Sequence, residues 1–344
     1  MRLDLWLAQK FPDYSRAAFQ KLIAAGRVEI NGETMKDPAK TVAETDDIKV
    51  HFPHQQTFAR EIKTFAKNVI YEDDNVVVIN KPAGVLTHMK GAGNSLPDEF
   101  TVADFVKSRI LVAKNLSFED DLFVKSNRPG IVHRLDRATS GVLIAAKKPF
   151  ATRFLQKQFA NRTAHKTYVA LVEKAPKLPA ARIDLPVLRN PVRQATFKID
   201  AKGKPATTDY QVLETFADGS ALVELKPQTG RTHQLRVHLA HIGAPIIGDA
   251  IYNPKSREKT EFISFSETMT DFDDERHHNK KFAKDVEPAK MSRMFLHAAQ
   301  LEITIPDDDQ NRRETFTANL PEDFRKEILH RDSQFDLSIL EESR

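Results

Sequence analysis

Apolar residues recur along the chain at two different periods, and the change of period divides it. Over residues 2–25 the spacing is helical: Leu3, Leu7 and Phe11 make one stripe, and Phe19, Leu22 and Ile23 a second. Ser15 is placed to cap the second helix at its start and Gly26 to stop it. "RVEINGE" then predicts a short strand running into an Asn31-Gly32 turn, with "TDDIKV" as the returning strand. Residues 53–68, "PHQQTFAREIKTFAKN", are mostly polar and open on proline, so a linker is expected there.

From residue 69 the period shortens. "VIYEDDNVVVINKPAG" predicts two strands around an Asp-Asp-Asn turn. Val102, Phe105, Val106 and Ile110 share one helical face of "TVADFVKSRI", and "GVLIAAKK" is expected to be a buried strand. Pro149 suits the first position of a helix that turns Phe150, Phe154 and Phe159 inward. "HKTYVALVE" alternates as a strand, and "FADGSALVELKP" returns as a hairpin on Asp218-Gly219. "THQLRVHLAHIG" predicts a helix ended by Gly243, and "MFLHAAQLEITIP" a late strand. Hairpin-linked strands with few helices predict an α+β fold: a mainly antiparallel mixed β-sheet flanked by helices, preceded by a small α+β domain. The expected boundaries are 1–52 for the small domain, 53–68 for the linker, 69–325 for the larger domain and 326–344 for a C-terminal tail. There is no internal repeat.

Composition narrows the class. A chain of 344 residues is long for one domain, and 40% hydrophobic with 29% charged residues describes a globular protein with a sizeable core. The longest apolar runs, such as "VLIAA" and "YVALV", are far too short to span a bilayer. "MRLDLWLAQK" carries Asp4 and lacks a continuous apolar stretch, so no secretory signal is expected. Cysteine is absent, which removes disulfides and thiolate nucleophiles or metal ligands and fits a reducing compartment. The expected location is the cytoplasm and the expected state a monomer. The net charge of +4 conceals segregation: residues 121–170 hold five lysines and five arginines against Asp121 and Asp136, whereas residues 261–276 hold six acids and one arginine. A polyanionic partner such as nucleic acid fits this pattern, and a solvated surface with clustered charges fits it equally well.

Within the basic stretch, "HRLDRATSG" sets Asp136 between Arg134 and Arg137. Flanking guanidinium groups stabilise a carboxylate as the anion. An acid inside a loop that grips phosphate weakens the grip, which makes sense if the acid does chemistry as a nucleophile or base. A structural ion pair or loop cap is the simpler reading of these residues by themselves.

Two longer motifs carry resemblances. "RLDLWL", "SRAAFQKLIAAGRVEINGE" and "TVAETDDIKV" together resemble the alpha-L RNA-binding fold found in a small-subunit ribosomal protein and in RNA-modifying enzymes. The resemblance implies RNA contact through the second helix and the turn after it, at Ser15, Arg16, Lys21 and Arg27. "HRLDRATSGVLIAAK", "HKTYVALV" and "LKPQTGRTHQLRVHLAHIGAPIIGDAIY" resemble the RluA-type family of RNA pseudouridine synthases, with similarity running from "YEDDNVVVINKPAGVLTH" to "FLHAAQLEI". That resemblance implies isomerisation of uridine in structured RNA, large-subunit ribosomal RNA first and transfer RNA second, without a cofactor or metal. It implies Asp136 as the catalytic acid, Tyr168 as the residue packed on the base and a candidate for the final proton abstraction, and Arg236 as the partner of Asp136. Leu296 is implied as a wall of the uracil pocket. Arg134, Arg137, Arg231 and His233 lie in the same motifs and are expected at the substrate, with Arg231 the alternative partner for the acid.

Competing assignments are weaker. His238 and His241 share a helical face, but no Glu-rich partner motif accompanies them, so packing or RNA contact is favoured over zinc. "KPAGV" and "PQTG" lack the spacing of a phosphate loop. An RNA-binding or assembly protein without turnover is the other class of function, and it has no need of Asp136. Residues 253–293 form a long polar insertion whose acidic part is expected to lie away from the basic face.

Overall fold

The structure, a computed structural model, describes residues 1–11, 16–24, 26–43, 45–51, 58–88, 99–114, 128–193, 195–253, 255, 293–307 and 310–338. Two helices open the chain, α1 (Leu3–Lys10) and α2 (Arg16–Ala24), followed by the strands β1 (Val28–Ile30), β2 (Glu33–Met35) and β3 (Ile48–Val50). Leu3, Leu7, Phe19, Leu22, Ile23, Val28, Ile30 and Val42 form their common core. Asn31 and Gly32 both take positive φ, 51° and 85°, which is the two-residue turn that sends the chain straight back. The returning strand is therefore β2, and the expected return, β3, pairs with the other edge of β1. Ser15, expected as the cap of α2, lies outside the described residues.

The expected linker is largely structured. Phe58, Ile62 and Phe65 fall at helical spacing, and α3 (Ala59–Phe65) with a 3-10 turn after it packs on the next domain. Phe65 is buried 5.3 Å from Phe100 and 5.0 Å from Phe105, ring to ring.

The large sheet is built from β4 (Val69–Glu72), β5 (Val76–Lys81), β6 (Ser140–Ala146), β7 (His165–Val172), β8 (Ala180–Asp184), β11 (Thr207–Thr215), β12 (Ala221–Pro227), β13 (Leu296–Ile305) and β14 (Arg312–Thr317). Its order is β4-β5-β6-β13-β7-β12-β11-β8, with β14 joining β13 where the short β6 contact ends. Every pairing is antiparallel except β6 with β13. A separate hairpin, β9 (Val187–Arg189) with β10 (Phe197–Ile199), has no counterpart in the sequence pattern. Helix α4 (Val102–Lys114) covers one face with Val102, Phe105, Val106 and Ile110. Helix α5 (Pro149–Asn161) covers the other, but it buries Ala151, Leu155 and Gln158, while Phe150 is 44% exposed. Positions 151, 155 and 158 form the inward stripe, so Phe150 falls off it and Phe154 and Phe159 only flank it.

Helix α6 (Gln234–His241) packs Leu235 and Leu239 against Tyr210, Leu225 and Ile246. The expected tail from residue 326 is instead the body of α7 (Glu322–Arg331), whose Phe324 and Ile328 join Phe216, Leu222, Phe295 and Phe335 in a core. Residues 256–292, most of the polar insertion, lie outside the described residues.

The parallel junction of β6 and β13 is the tightest point of the sheet. Gly141 has φ +117°, and a Cβ there would sit 2.1 Å from the Ala298 carbonyl oxygen and 2.5 Å from its nitrogen. Gly141→Ala should therefore force the two central strands apart, costing about 3 kcal/mol or more. That corresponds to roughly 6–12 °C in melting temperature for a domain of this size. A thermal melt coinciding with wild type would show that β13 yields without cost.

Candidate active site

The segment 133–139 leads into β6 and is fixed on every side. His133 Nε2 accepts the Ile144 N–H at 3.0 Å, and its ring stacks on Phe159 with centroids 4.5 Å apart. Burial, reinforced by Lys166, pushes the His133 imidazole down to about 3, so it is neutral and able to accept. Thr87 Oγ1 donates to the Leu135 carbonyl at 2.9 Å. Gly84 N–H donates to the Arg137 carbonyl at 2.8 Å. Lys81, at the end of β5, is buried and gives its Nζ to three carbonyls, Pro82 at 2.8 Å, Val85 at 2.9 Å and Arg137 at 3.2 Å. Burial pushes this amine down to about 7 against the opposing pull of Asp136.

So held, Asp136 faces Arg236 from the first turns of α6. Arg236 Nη1 donates to Asp136 Oδ2 at 3.1 Å. The guanidinium reaches Asp136 because Asp249 holds its other side: Nε donates to Asp249 Oδ2 at 2.7 Å and Nη2 to Oδ1 at 2.8 Å. Asp249 is fully buried and also accepts the N–H groups of Ile251 and Tyr252, at 2.9 and 3.1 Å. The Tyr252 ring lies against the guanidinium, 5.0 Å from centroid to Cζ. The pairing partner is therefore Arg236; Arg231 points its Nε to the Pro205 carbonyl.

His233 supplies a second positive neighbour. It caps α6 in the left-handed region, φ 57°, a strained position for a residue with a Cβ. Its Nδ1 lies 2.9 Å from Tyr252 Oη, which accepts the Phe197 N–H. Its Nε2 lies 3.7 Å from Asp136 Oδ2. Burial would raise the Asp136 carboxyl, but His233, Arg236 and Arg134 outweigh it and hold the group below the ordinary carboxylate range. The acid is an anion at neutral pH.

A cavity of about 430 Å³ opens over this carboxylate, and Asp136, Tyr168, Arg236 and Leu296 all line it. Tyr168 stands in the middle of the sheet, between Leu225 of β12 and Ala298 of β13. Burial and the Asp136 charge push its phenol well above the usual range, so it stays protonated. At neutral pH the phenol can pack on a ring or donate a hydrogen bond.

The other expected substrate residues separate. Arg134, Arg231 and His233 line the cavity. Arg137 does not; its guanidinium forks onto Glu99, so it is engaged as an ion pair. In the N-terminal domain Arg16 is likewise occupied, with Nε on the buried Asp4 at 3.0 Å alongside Arg2 and Gln20. The Arg27 backbone holds the end of the small sheet by accepting the His51 N–H at 2.8 Å. Ser15 and the Lys21 side chain lie outside the described residues. His238 is buried between Thr208 Oγ1 and the Leu185 carbonyl, a packing role. Asp249, Tyr252 and Lys81 do not stand out in the sequence; an acid in "GDAIY" and a lysine closing a run of valines are the signals that could have found them.

Comparison with known proteins identifies the family. Residues 75–241 match the RNA pseudouridylate synthase family and residues 1–48 the S4 domain. An RNA pseudouridine synthase of Aquifex aeolicus is 37% identical over 74% of this chain and 78% of its own length. The ribosomal large subunit pseudouridine synthase D of Escherichia coli is 33% identical over 79% of each chain. The solved structure of human RNA pseudouridylate synthase domain containing 4 superposes with a TM-score of 0.55 at 26% identity, covering 79% of this chain and 95% of that one. The chain belongs to the RluA-type family of RNA pseudouridine synthases, with an S4 domain at its N-terminus.

Asp136→Asn keeps the shape and loses the charge, so pseudouridine formation should vanish while RNA affinity survives. Residual turnover within about tenfold of wild type, a loss of only about 1.4 kcal/mol of barrier, would remove Asp136 from the chemistry. The acid limb of the wild-type pH–rate profile should lie below the free aspartate value of about 3.9, and Arg236→Ala should move it upward as an opposite charge is lost. Asp249→Asn should move the same limb upward while leaving Arg236 in place, because a loosened guanidinium holds Asp136 less well. An unmoved limb in Asp249→Asn would separate Asp249 from the site.

Proposed function

We propose that this RNA pseudouridine synthase modifies specific uridines of large-subunit ribosomal RNA, with Asp136 as the catalytic acid. The observation that carries the assignment is a pocket-lining carboxylate kept ionised by Arg236, itself locked by Asp249. The ribosomal substrate is supported by the names of relatives such as the Escherichia coli and Borreliella burgdorferi enzymes, each a ribosomal large subunit pseudouridine synthase D, the latter 37% identical over 73% of this chain.

A stacked uridine cannot present its glycosidic carbon to a carboxylate at the bottom of a cavity, so the nucleotide is flipped out, at a cost of a few kcal/mol. The uracil packs on Tyr168 against Leu296, and stacking of this kind returns about 1–3 kcal/mol. Asp136 attacks or deprotonates at the ribose, and the bond from uracil N1 to the ribose carbon breaks. The base turns, its C5 bonds to the same carbon as Asp136 leaves it or returns the ribose proton, and the proton lost from C5 is balanced by one gained at N1. Tyr168 and Asp136 both line the cavity and are the candidates to take the C5 proton. The sum is an isomerisation with no net change of electrons or atoms.

No helix among the described residues is long and apolar enough to cross a membrane. The absence of cysteine supports work in the cytoplasm. Among the described residues Asp136, Arg236, Asp249 and Tyr252 meet within one chain, which supports a monomer.

Mapping pseudouridine in cells with and without the gene tests the substrate. Large-subunit positions should be lost and should return with wild type but not with Asp136→Asn; losses confined to transfer RNA would overturn the ribosomal reading. The N-terminal domain should add affinity rather than chemistry. Removing residues 1–51, which spares α3, should weaken binding to large structured RNA and flatten the salt slope of log affinity by roughly 0.7–0.9 for each phosphate that the truncated protein no longer neutralises. A short hairpin should lose much less activity than full-length RNA. Equal losses on both would assign the domain a purely structural role.

A further inference from the structure

The cavity has a second polar end that the chemistry at Asp136 leaves unused. Side chains alternate across a strand, so Lys166 and Tyr168 on β7 project to the same face, about 6.6 Å apart along the strand. Tyr168 stands at the Asp136 end. Lys166 lies two residues away along β7, and the cavity lining also includes Phe159, Ala160, Arg162, Ala164 and residues 228–231. A Cβ on Gly230 would lie 3.9 Å from Lys166 Nζ, so the glycine leaves open space beside the amine.

Charge around the cavity is unbalanced. Arg134, Arg162, Lys166 and Arg231 all line the cavity, and Asp136 is the one carboxylate among the described lining residues. Asp136 is committed to Arg236 and His233. Among the described residues Lys166 Nζ has neither a hydrogen bond nor an ion pair, and burial alone pushes it down to about 8. A desolvated ammonium without a partner is costly unless the substrate brings one. Uracil is neutral; the anion that RNA carries is phosphate.

We infer that Lys166 receives a phosphate flanking the flipped uridine, so that two residues of β7 hold one nucleotide, base on Tyr168 and backbone on Lys166. The inference rests on the reading of this cavity as the uridine site. Lys166 would then set how deeply the ribose descends on Asp136, and the open space at Gly230 would admit the phosphate oxygens.

The test combines variants with a short RNA in which each phosphate flanking the target is replaced, one at a time, by a neutral methylphosphonate. For wild type, one of the two replacements should lower kcat/KM by about 10- to 100-fold, the range of a hydrogen bond to a charged group. Lys166→Gln should lose a similar factor on ordinary RNA and nothing further from that phosphonate, since the two changes remove the same interaction. Lys166→Met, which retains the packing of the stem, should repeat the pattern, and Lys166→Arg should recover most of the loss. Losses that multiply at both positions, or a Lys166→Gln enzyme that matches wild type on ordinary RNA, would overturn the inference. Wild type forming no pseudouridine in ordinary RNA would instead sink the reading of the cavity itself.

Discussion

Everything at this site depends on one guanidinium shared between two carboxylates. Arg236 spends two parallel hydrogen bonds on Asp249 and one on Asp136. The fork of arginine can do this and the point charge of lysine cannot, because its donors lie in fixed directions. Asp249 is fully buried and Arg236 nearly so, which makes either one without the other a costly unpaired charge. Asp136 is the more exposed end, with 20% of its side chain open to the cavity. The buried half of the chain of charges is thus structural and helps hold the exposed half as an anion.

The carboxylate would be of little use if its backbone moved. Lys81, Thr87 and Gly84 grip the segment through the carbonyls of Leu135 and Arg137, and His133 ties its start to β6. These bonds come from β5 and the turn after it, next to β6 in the sheet, while Tyr168 and Leu296 come from β7 and β13 on the other side. The close approach of Gly141 to Ala298 sets how near those two halves lie. Sheet register therefore sets the spacing between Tyr168 and Asp136.

In the N-terminal domain the same economy of charge recurs. The buried Asp4 gathers Arg2, Arg16 and Gln20, so some of the arginines that look available for RNA first serve to lock α1 to α2. Arg16 remains half exposed, with 47% of its side chain at the surface, and can serve both ends.

Much is legible in the sequence because it is local. Runs of apolar residues, the Asn31-Gly32 and Asp218-Gly219 turns, Pro149 and the helical stripe of α4 each act over a few residues, and they place most strands and helices. Asp136, Tyr168, Arg236 and Leu296 are legible through long motifs, and the fold brings all four to one cavity. Weak stripes mislead: Phe58, Ile62 and Phe65, and later Phe324 and Ile328, look like isolated apolar residues in polar surroundings until a surface exists for them to cover. Asp249 and Lys81 are hidden for a different reason. Local pattern says that an aspartate in a turn and a lysine after valines are exposed, and only packing shows that each is buried against partners brought from elsewhere in the chain. The availability of Arg137 turns likewise on Glu99, 38 positions away. Neighbouring residues alone settle which elements form and which side chains could do the chemistry. Which charges pair is decided by the folded chain, because pairing follows burial and distance, and neither is a property of residues adjacent in sequence.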